Sequence, residues 1–297
     1  MIKIERKKIK NKPFYYLSKR IKVDGNFKKI RVYVGKGVPN DLGLFYSKLE
    51  KKEISLIDQD ISRTHKTIEE YRIRFEYHFS QLSNKKMEIF WRDFAIKFIF
   101  ESNSIEGSRL SESEVENIVK NKYIKKSLNR KEVIEVENSI KAFDMIRNNE
   151  FSLNQNQIKL VHKIIVKGLD TKVGYKKENI IVNNKETCPV DKVRKEMTDL
   201  IQWYERKNKK NNNQFLITIK FHQKFELIHP FSDGNGRVGR LILIWMLLQN
   251  KYGVILFRNR NRMKYFSVLN SADEGRVTNL YRHCAEVYKN TFKYLTN

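Results

Sequence analysis

Cysteine is scarce in this sequence. Cys188 and Cys284 are the two present among 297 residues, far apart, and they make neither a disulfide framework nor a metal-ligand cluster. A reducing, cytoplasmic compartment is the resulting expectation. Long apolar runs are missing as well: the N-terminus has no stretch of signal-peptide length, and the longest run, 241–248, is too short to span a bilayer. No membrane association is expected. Acidic residues are in deficit, 34 Asp and Glu against 60 Lys and Arg, and the formal charge of +26 favours polyanionic partners such as nucleic acid, nucleotides or an acidic protein surface. Part of the excess is lysine on polar stretches, for example Lys207, Lys209 and Lys210 beside Asn211, Asn212 and Asn213, which reads as solvated surface. Internal repeats are absent. What is present is 40% hydrophobic residues over a length that supports one large core plus a smaller module.

Strand patterns occur in two places. Over 14–34, Tyr15, Leu17, Lys19, Ile21 and Val23 alternate, Asp24-Gly25 supplies a turn, and Ile30, Val32 and Val34 alternate again. This predicts a β-hairpin closed by Gly35 and Gly37, within a module of residues 1–40 that holds thirteen Lys or Arg and two acids. The other strand-like stretch is 179–182, between Gly174 and Pro189. Elsewhere the periodicity is helical. A polar amphipathic segment at 42–79 makes 41–85 a helical linker, Ser83-Asn84 offers an N-cap, and Ile89, Phe90, Phe94, Ala95, Phe98 and Ile99 recur at helical spacing up to Glu106-Gly107. Further helices are expected at 111–124, 130–147, 158–166, 190–205, 214–228, 237–249, 264–273 and 279–294. The predicted fold is mainly α: a helical core over 86–297 carrying one short β-hairpin, preceded by the small basic β-hairpin module.

Chemistry concentrates in residues 229–240, which read His-Pro-Phe-Ser-Asp-Gly-Asn-Gly-Arg-Val-Gly-Arg between two apolar helices. Pro230 cannot continue the preceding helix, so His229 is placed at the lip of a loop. Gly234 and Gly236 flank Asn235 and let successive N–H groups face one point, an anion nest to which the next helix adds its N-terminal dipole. Arg237 and Arg240, three apart, suit a clamp on a di- or triphosphate. Asp233 suits a Mg²⁺ shared with phosphate oxygens, and an imidazole with an ordinary pKa of about 6.5 suits removal of a proton from an attacking hydroxyl. Nucleophilic attack on a nucleotide phosphate is the inferred reaction.

The same twelve residues resemble the signature of the Fic family, His-Pro-Phe-x-(Asp/Glu)-Gly-Asn-Gly-Arg-x-x-Arg, at every specified position. The resemblance covers roughly residues 87–294 and implies a helical Fido core with a β-hairpin flap. It implies transfer of AMP from ATP to a protein hydroxyl, with His229 as general base, Asp233 as Mg²⁺ ligand, Gly234, Asn235 and Gly236 as α-phosphate cradle, and Arg237 and Arg240 as β/γ-phosphate clamp. Phe231 would anchor the loop by packing. Residues 179–184 with Pro189 resemble the flap, whose edge would hold a target protein's Ser, Thr or Tyr segment, or a segment of the chain itself, and whose Val182 and Asn183 are implied to border the bound nucleotide. Tyr265 and Phe266, followed by Leu269, Ala272, Asp273, Glu274 and Gly275, resemble the segment lining the base pocket. Asp273 stands where the family pattern has Asn, which leaves the base preference open.

Ser102-Asn103-Ser104-Ile105-Glu106-Gly107 resembles the family's inhibitory motif, (Ser/Thr)-x-x-x-Glu-(Gly/Asn). Ser102 and Glu106 lie one turn apart, Gly107 supplies the helix stop, and a Glu at a helix C-terminus opposes the macrodipole and calls for a cationic partner. The resemblance names Arg240 as that partner, in the place of the γ-phosphate. Three alternatives stay open: removal of AMP at the same site, phosphate or other nucleotide transfer by a related Fic chemistry, and a nucleic-acid-binding regulator that uses the basic N-terminal module. Oligomeric state, target and acceptor are not readable from the residues.

Overall fold

Residues that alternate Tyr, Leu, Ile and Val with Lys and Arg build the N-terminal part of the chain. The computed structural model describes all residues apart from 1, 24–25, 40, 122–126, 183–184, 209–212 and 297, so the Asp24-Gly25 turn lies outside the described residues. The chain divides into two compact units, 1–66 and 67–297. The first contains three antiparallel strands in the order β1 (Ile2–Ile9), β2 (Lys12–Val23) and β3 (Asn26–Gly35). The sequence pattern indicates β2 and β3 alone. β1 escapes it because nearly every side chain of this edge strand is exposed, which erases the buried alternation that marks a strand. Its turn does carry a signal: Lys10 and Asn11 adopt φ of 47° and 58°, the left-handed pair of a two-residue hairpin, and Asn tolerates that conformation. Leu17, Ile21, Ile30, Val32 and Val34 form the unit's core with Leu49, from the start of α1 (Gly43–Ser80).

The second unit is helical. After α1 come α2 (Asn84–Ile105), α3 (Glu112–Asn121), α4 (Arg130–Arg147), α5 (Gln155–Ile165), α6 (Val193–Lys207), α7 (Gln214–Ile228), α8 (Asn235–Gln249), α9 (Arg262–Asp273) and α10 (Val277–Thr296), with a 3₁₀ turn at Asn259–Asn261 before α9. α8 is buried along almost its whole length because Val238, Leu241, Ile242, Leu243, Ile244, Met246 and Leu247 make it apolar on every side. It packs against α2, α4, α5 and α7, while α7 packs on α6, α9 and α10. This central pair carries the loop of residues 229–234 between its two members. Between α5 and α6 lies a small antiparallel hairpin, β4 (Ile181–Val182) and β5 (Lys185–Glu186). No described helix is long and apolar enough to cross a membrane.

Candidate active site

The end of α7 sets the site. His229 closes the helix in the left-handed region, φ 50° and ψ 63°, with its N–H donating to Phe225 O at 3.0 Å. The loop that follows is tied from several sides. Phe231 N donates to Asn235 Oδ1 at 2.9 Å and Asn235 Nδ2 donates back to Phe231 O at 2.8 Å, so one buried amide closes the loop on itself. The Phe231 ring is fully buried beneath the imidazole of His162, 3.9 Å between centroids. His162 Nδ1 accepts from Gly174 N at 3.3 Å, which leaves its proton on Nε2 to donate to Asp233 O at 3.1 Å. Burial holds this imidazole at about 4, neutral at physiological pH. Residues 174–176 run antiparallel to the loop: Tyr175 bridges Phe231, and Lys176 N donates to Pro230 O at 2.9 Å. Gly234, φ 78°, then turns the chain into α8.

A cavity of 260 Å³ opens over the first turn of α8. His229, Gly236, Arg240, Glu106 and Glu226 line it, together with Val182 and Lys185 of the hairpin and Phe266, Leu269 and Asp273 of α9. The buried Arg240 reaches α2 three times: Nε donates to Ser102 Oγ at 3.0 Å, and Nη2 donates to Ser102 O at 2.9 Å and to Glu106 Oε1 at 2.8 Å. A Cβ on Gly236 would collide with the Glu106 carboxylate and come within 2.9 Å of Arg240 Nη1. The carboxylate therefore lies against the N-terminal turn of α8, where unpaired N–H groups and the helix dipole favour an anion.

The other sequence-predicted residues are distributed unevenly. Arg237 turns to α4, with Nη1 3.1 Å from Glu135 Oε1 and Nη2 3.4 Å from Asp233 Oδ2, and it is not among the residues lining the cavity. Asp233, half-exposed, accepts from Gly234 N at 2.6 Å and borders a neighbouring 330 Å³ cavity with Ser232 and Lys176. Phe266 and Asp273 face the cavity, whereas Tyr265 is buried with its hydroxyl 2.6 Å from His222 Nε2 and does not line it. Val182 lines the cavity; Asn183 lies outside the described residues. Asp273 is held by Lys185 Nζ and Gln223 Nε2, each at 2.6 Å.

Sequence reasoning misses three groups around His229. Lys176 is 4% exposed, and its Nζ donates to Thr187 Oγ1 at 2.6 Å, tying the segment after β5 to the loop beside His229. Burial and then the Lys176 ammonium hold the His229 imidazole below its ordinary value. Glu226, one turn ahead of His229 on α7, has its carboxyl pushed up to about 8 by burial, against the pull of Arg240. His162 is the third. None has a local pattern, since each acquires its role from partners brought in by other elements.

The Fic/DOC family profile matches residues 152–247, the stretch from the start of α5 to the end of α8. That stretch is a Fic/DOC domain. The Fic assignment agrees with curated relatives: a probable protein adenylyltransferase of Aquifex aeolicus is 34% identical over 119 residues, 39% of this chain and 36% of that protein. A protein adenylyltransferase Fic of Nematostella vectensis is 25% identical over 199 residues, 65% of this chain and 47% of the relative. The chain thus spans less than half the length of these relatives. Solved structures share the Fic fold beyond the matched stretch: Fic-1 (residues 134–508) of C. elegans, TM-score 0.75 at 16% identity, covers 86% of this chain and 78% of its own. A Fic family protein of Desulfovibrio desulfuricans, TM-score 0.67 at 24% identity, covers 79% and 73%.

Proposed function

We propose that the chain is a protein adenylyltransferase that moves AMP from ATP onto a Ser, Thr or Tyr hydroxyl of a protein, and that Glu106 restrains it. The observation that carries this reading is the shared cavity: an imidazole held neutral, the N-terminus of α8 and a buried arginine face one space. In this mechanism His229 accepts the hydroxyl proton as the hydroxyl oxygen attacks the α-phosphorus and pyrophosphate departs. Asn235 and Gly236 offer main-chain N–H groups to the α-phosphate, Gly234 N–H joins them by leaving the Asp233 carboxylate, and Arg240 answers the charge of the outer phosphates. Arg237, paired with Glu135 and Asp233, positions the loop and reaches phosphate through a change of partner.

Mg²⁺ is expected to arrive with the nucleotide. The described residues contain no group of three or more His, Cys, Asp or Glu placed to hold a metal, and a single half-exposed carboxylate, Asp233, suits an ion carried mainly by phosphate oxygens and water. Bound there, the ion would neutralise phosphate charge. The acceptor segment is proposed to lie along the β4–β5 hairpin by strand addition.

Restraint follows from space and charge. At 260 Å³ the cavity is below the roughly 300–1,000 Å³ of ligand sites, and the Glu106 carboxylate lies against the helix terminus that an outer phosphate would use. Incubation with labelled ATP, CTP, GTP and UTP, followed by mass spectrometry of the modified protein, fixes donor and acceptor together. His229→Ala should lower transfer by roughly 10²–10⁴-fold with nucleotide binding retained. Glu106→Gly should label much faster than the wild type. Equal rates for Glu106→Gly and wild type at saturating Mg-ATP would reduce residues 102–107 to a helix end, and undiminished labelling by His229→Ala would overturn the transfer mechanism.

A further inference from the structure

The transfer reading leaves the N-terminal sheet unused, although the first forty residues hold thirteen Lys or Arg and two acids. The sheet has two unlike faces. Leu17, Ile21, Ile30 and Val32 pack with Leu49 of α1, so strand alternation sends their neighbours to the opposite face. In register that outer face reads as rows across the strands: Lys7 beside Phe14; Glu5, Tyr16 and Tyr33; Lys3, Ser18 and Arg31; Arg20 beside Lys29. Tyr33, 48% exposed, touches both Phe14 and Tyr16, with ring centroids 6.0 and 5.4 Å away. Glu5 is the one acid in these rows, and Lys29 and Arg31 already pair with it. Lys3, Lys7 and Arg20 have no carboxylate partner among the described residues, and Lys7 Nζ lies over the Tyr16 ring at 5.8 Å.

We propose that this outer face binds duplex DNA, lying in the major groove with its flanking cations on the phosphates. Charge complementarity selects a polyanion, and the arrangement across the strands selects the duplex. Neighbouring strands about 4.8 Å apart put the outer strand axes roughly 10 Å apart, so that in a major groove of about 12 Å the outer strands come against the groove walls. Lys3 and Lys7 of β1 and Lys29 and Arg31 of β3, the latter two sharing Glu5 and so carrying one net charge, flank the groove on its two walls, where phosphate contacts set affinity, while Tyr16 and Arg20 of the central strand face the base edges. A single strand, by contrast, is held by base stacking along a run of open ring faces, and here Phe14, Tyr16 and Tyr33 are turned onto one another, which leaves one further exposed ring, Phe27, on this face.

Fluorescence anisotropy with a labelled mixed-sequence duplex and the full chain, from 50 to 200 mM salt, tests this inference independently of any nucleotide transfer. The wild type should bind, with affinity falling steeply as salt rises. The triple substitution Lys3→Gln, Lys7→Gln, Arg20→Gln should weaken binding at least about tenfold and flatten the log–log salt slope by about 1.8, near 0.9 for each of the two phosphates that Lys3 and Lys7 no longer neutralise. Its thermal melt and its nucleotide labelling should match the wild type, which separates weaker binding from damaged folding. A control triple on exposed lysines of the helical unit, Lys85→Gln, Lys131→Gln, Lys163→Gln, should bind as the wild type does. Equal weakening by the control, tighter binding of a single strand than of the duplex, or no duplex binding at 50 mM salt would each overturn the proposal.

Discussion

His229 is a β-carbon-bearing residue in the left-handed region, a conformation that costs about 1–2 kcal/mol and persists only where surroundings enforce it. Pro230, the Asn235 amide and the Lys176 main chain supply that enforcement. Because burial and Lys176 both favour the neutral imidazole, the acid limb of the transfer rate should lie below pH 6.5. Lys176→Met removes the cation, so the His229 pKa should rise and the limb should move to higher pH, whereas Thr187→Val breaks the Lys176 hydrogen bond but keeps the charge and should leave the limb in place. A pH–kcat/KM profile of the two variants distinguishes them. Glu226 offers a stability counterpart. Its carboxyl titrates near 8 in the fold and near the ordinary 4.5 when unfolded, so the native state holds the proton more tightly and stability falls as pH rises through that window. Glu226→Gln should abolish this component: the gap in denaturation midpoint between variant and wild type should widen in the variant's favour from pH 5 to pH 8.

At the scale of elements, α7 and α8 approach closely at Gly239, where an added Cβ would collide with the Glu226 carboxyl and lie 3.1 Å from the Phe225 ring. Gly239→Ala should therefore destabilise the helical unit by about 1–3 kcal/mol despite alanine's better helix propensity, as urea denaturation would register. The two helices and the loop between them are legible in the residues alone, since the apolar run after Arg240 and the Pro230 stop are local signals. The starts of α5 and α8 fall two or three residues ahead of the sequence expectation, because their caps, Asn154 and Gly234, precede the apolar periodicity that marks a helix. Glu106 and Arg240 are matched through the family pattern, for no local rule joins residues 134 apart. The Arg237–Glu135 pair has no such guide, and spacing alone puts both arginines on one clamp. Tyr265 is expected in the base pocket with its neighbour Phe266, yet successive helical positions diverge by about 100°, and one of the two has to face away.

For the whole molecule, the division into units of 1–66 and 67–297 means that two cores of very different size sustain the chain. The smaller rests on few buried side chains, with Leu17 among the most enclosed. Leu17→Ala should cost that unit about 2–5 kcal/mol, enough to unfold it near ambient temperature, while the helical unit keeps its own melting transition in calorimetry. Nucleotide labelling should survive the substitution, and disappearance of one transition common to the whole chain would show that the units unfold together. The charge asymmetry is confined to the first forty residues, which carry cations almost without acids, while the helices interleave both signs.

Arg240 is gripped by α2 through a hydroxyl and a main-chain carbonyl as well as through Glu106. Removal of the carboxylate therefore leaves the guanidinium already oriented, with its rotational freedom removed when the chain folded and none left to remove when a nucleotide arrives. Under the proposed restraint, Glu106 would govern occupancy and not aim. Graded substitutions at position 106 should accordingly alter how often the site fires while leaving the geometry of each event unchanged, so that the acceptor residues modified stay the same as the rate climbs.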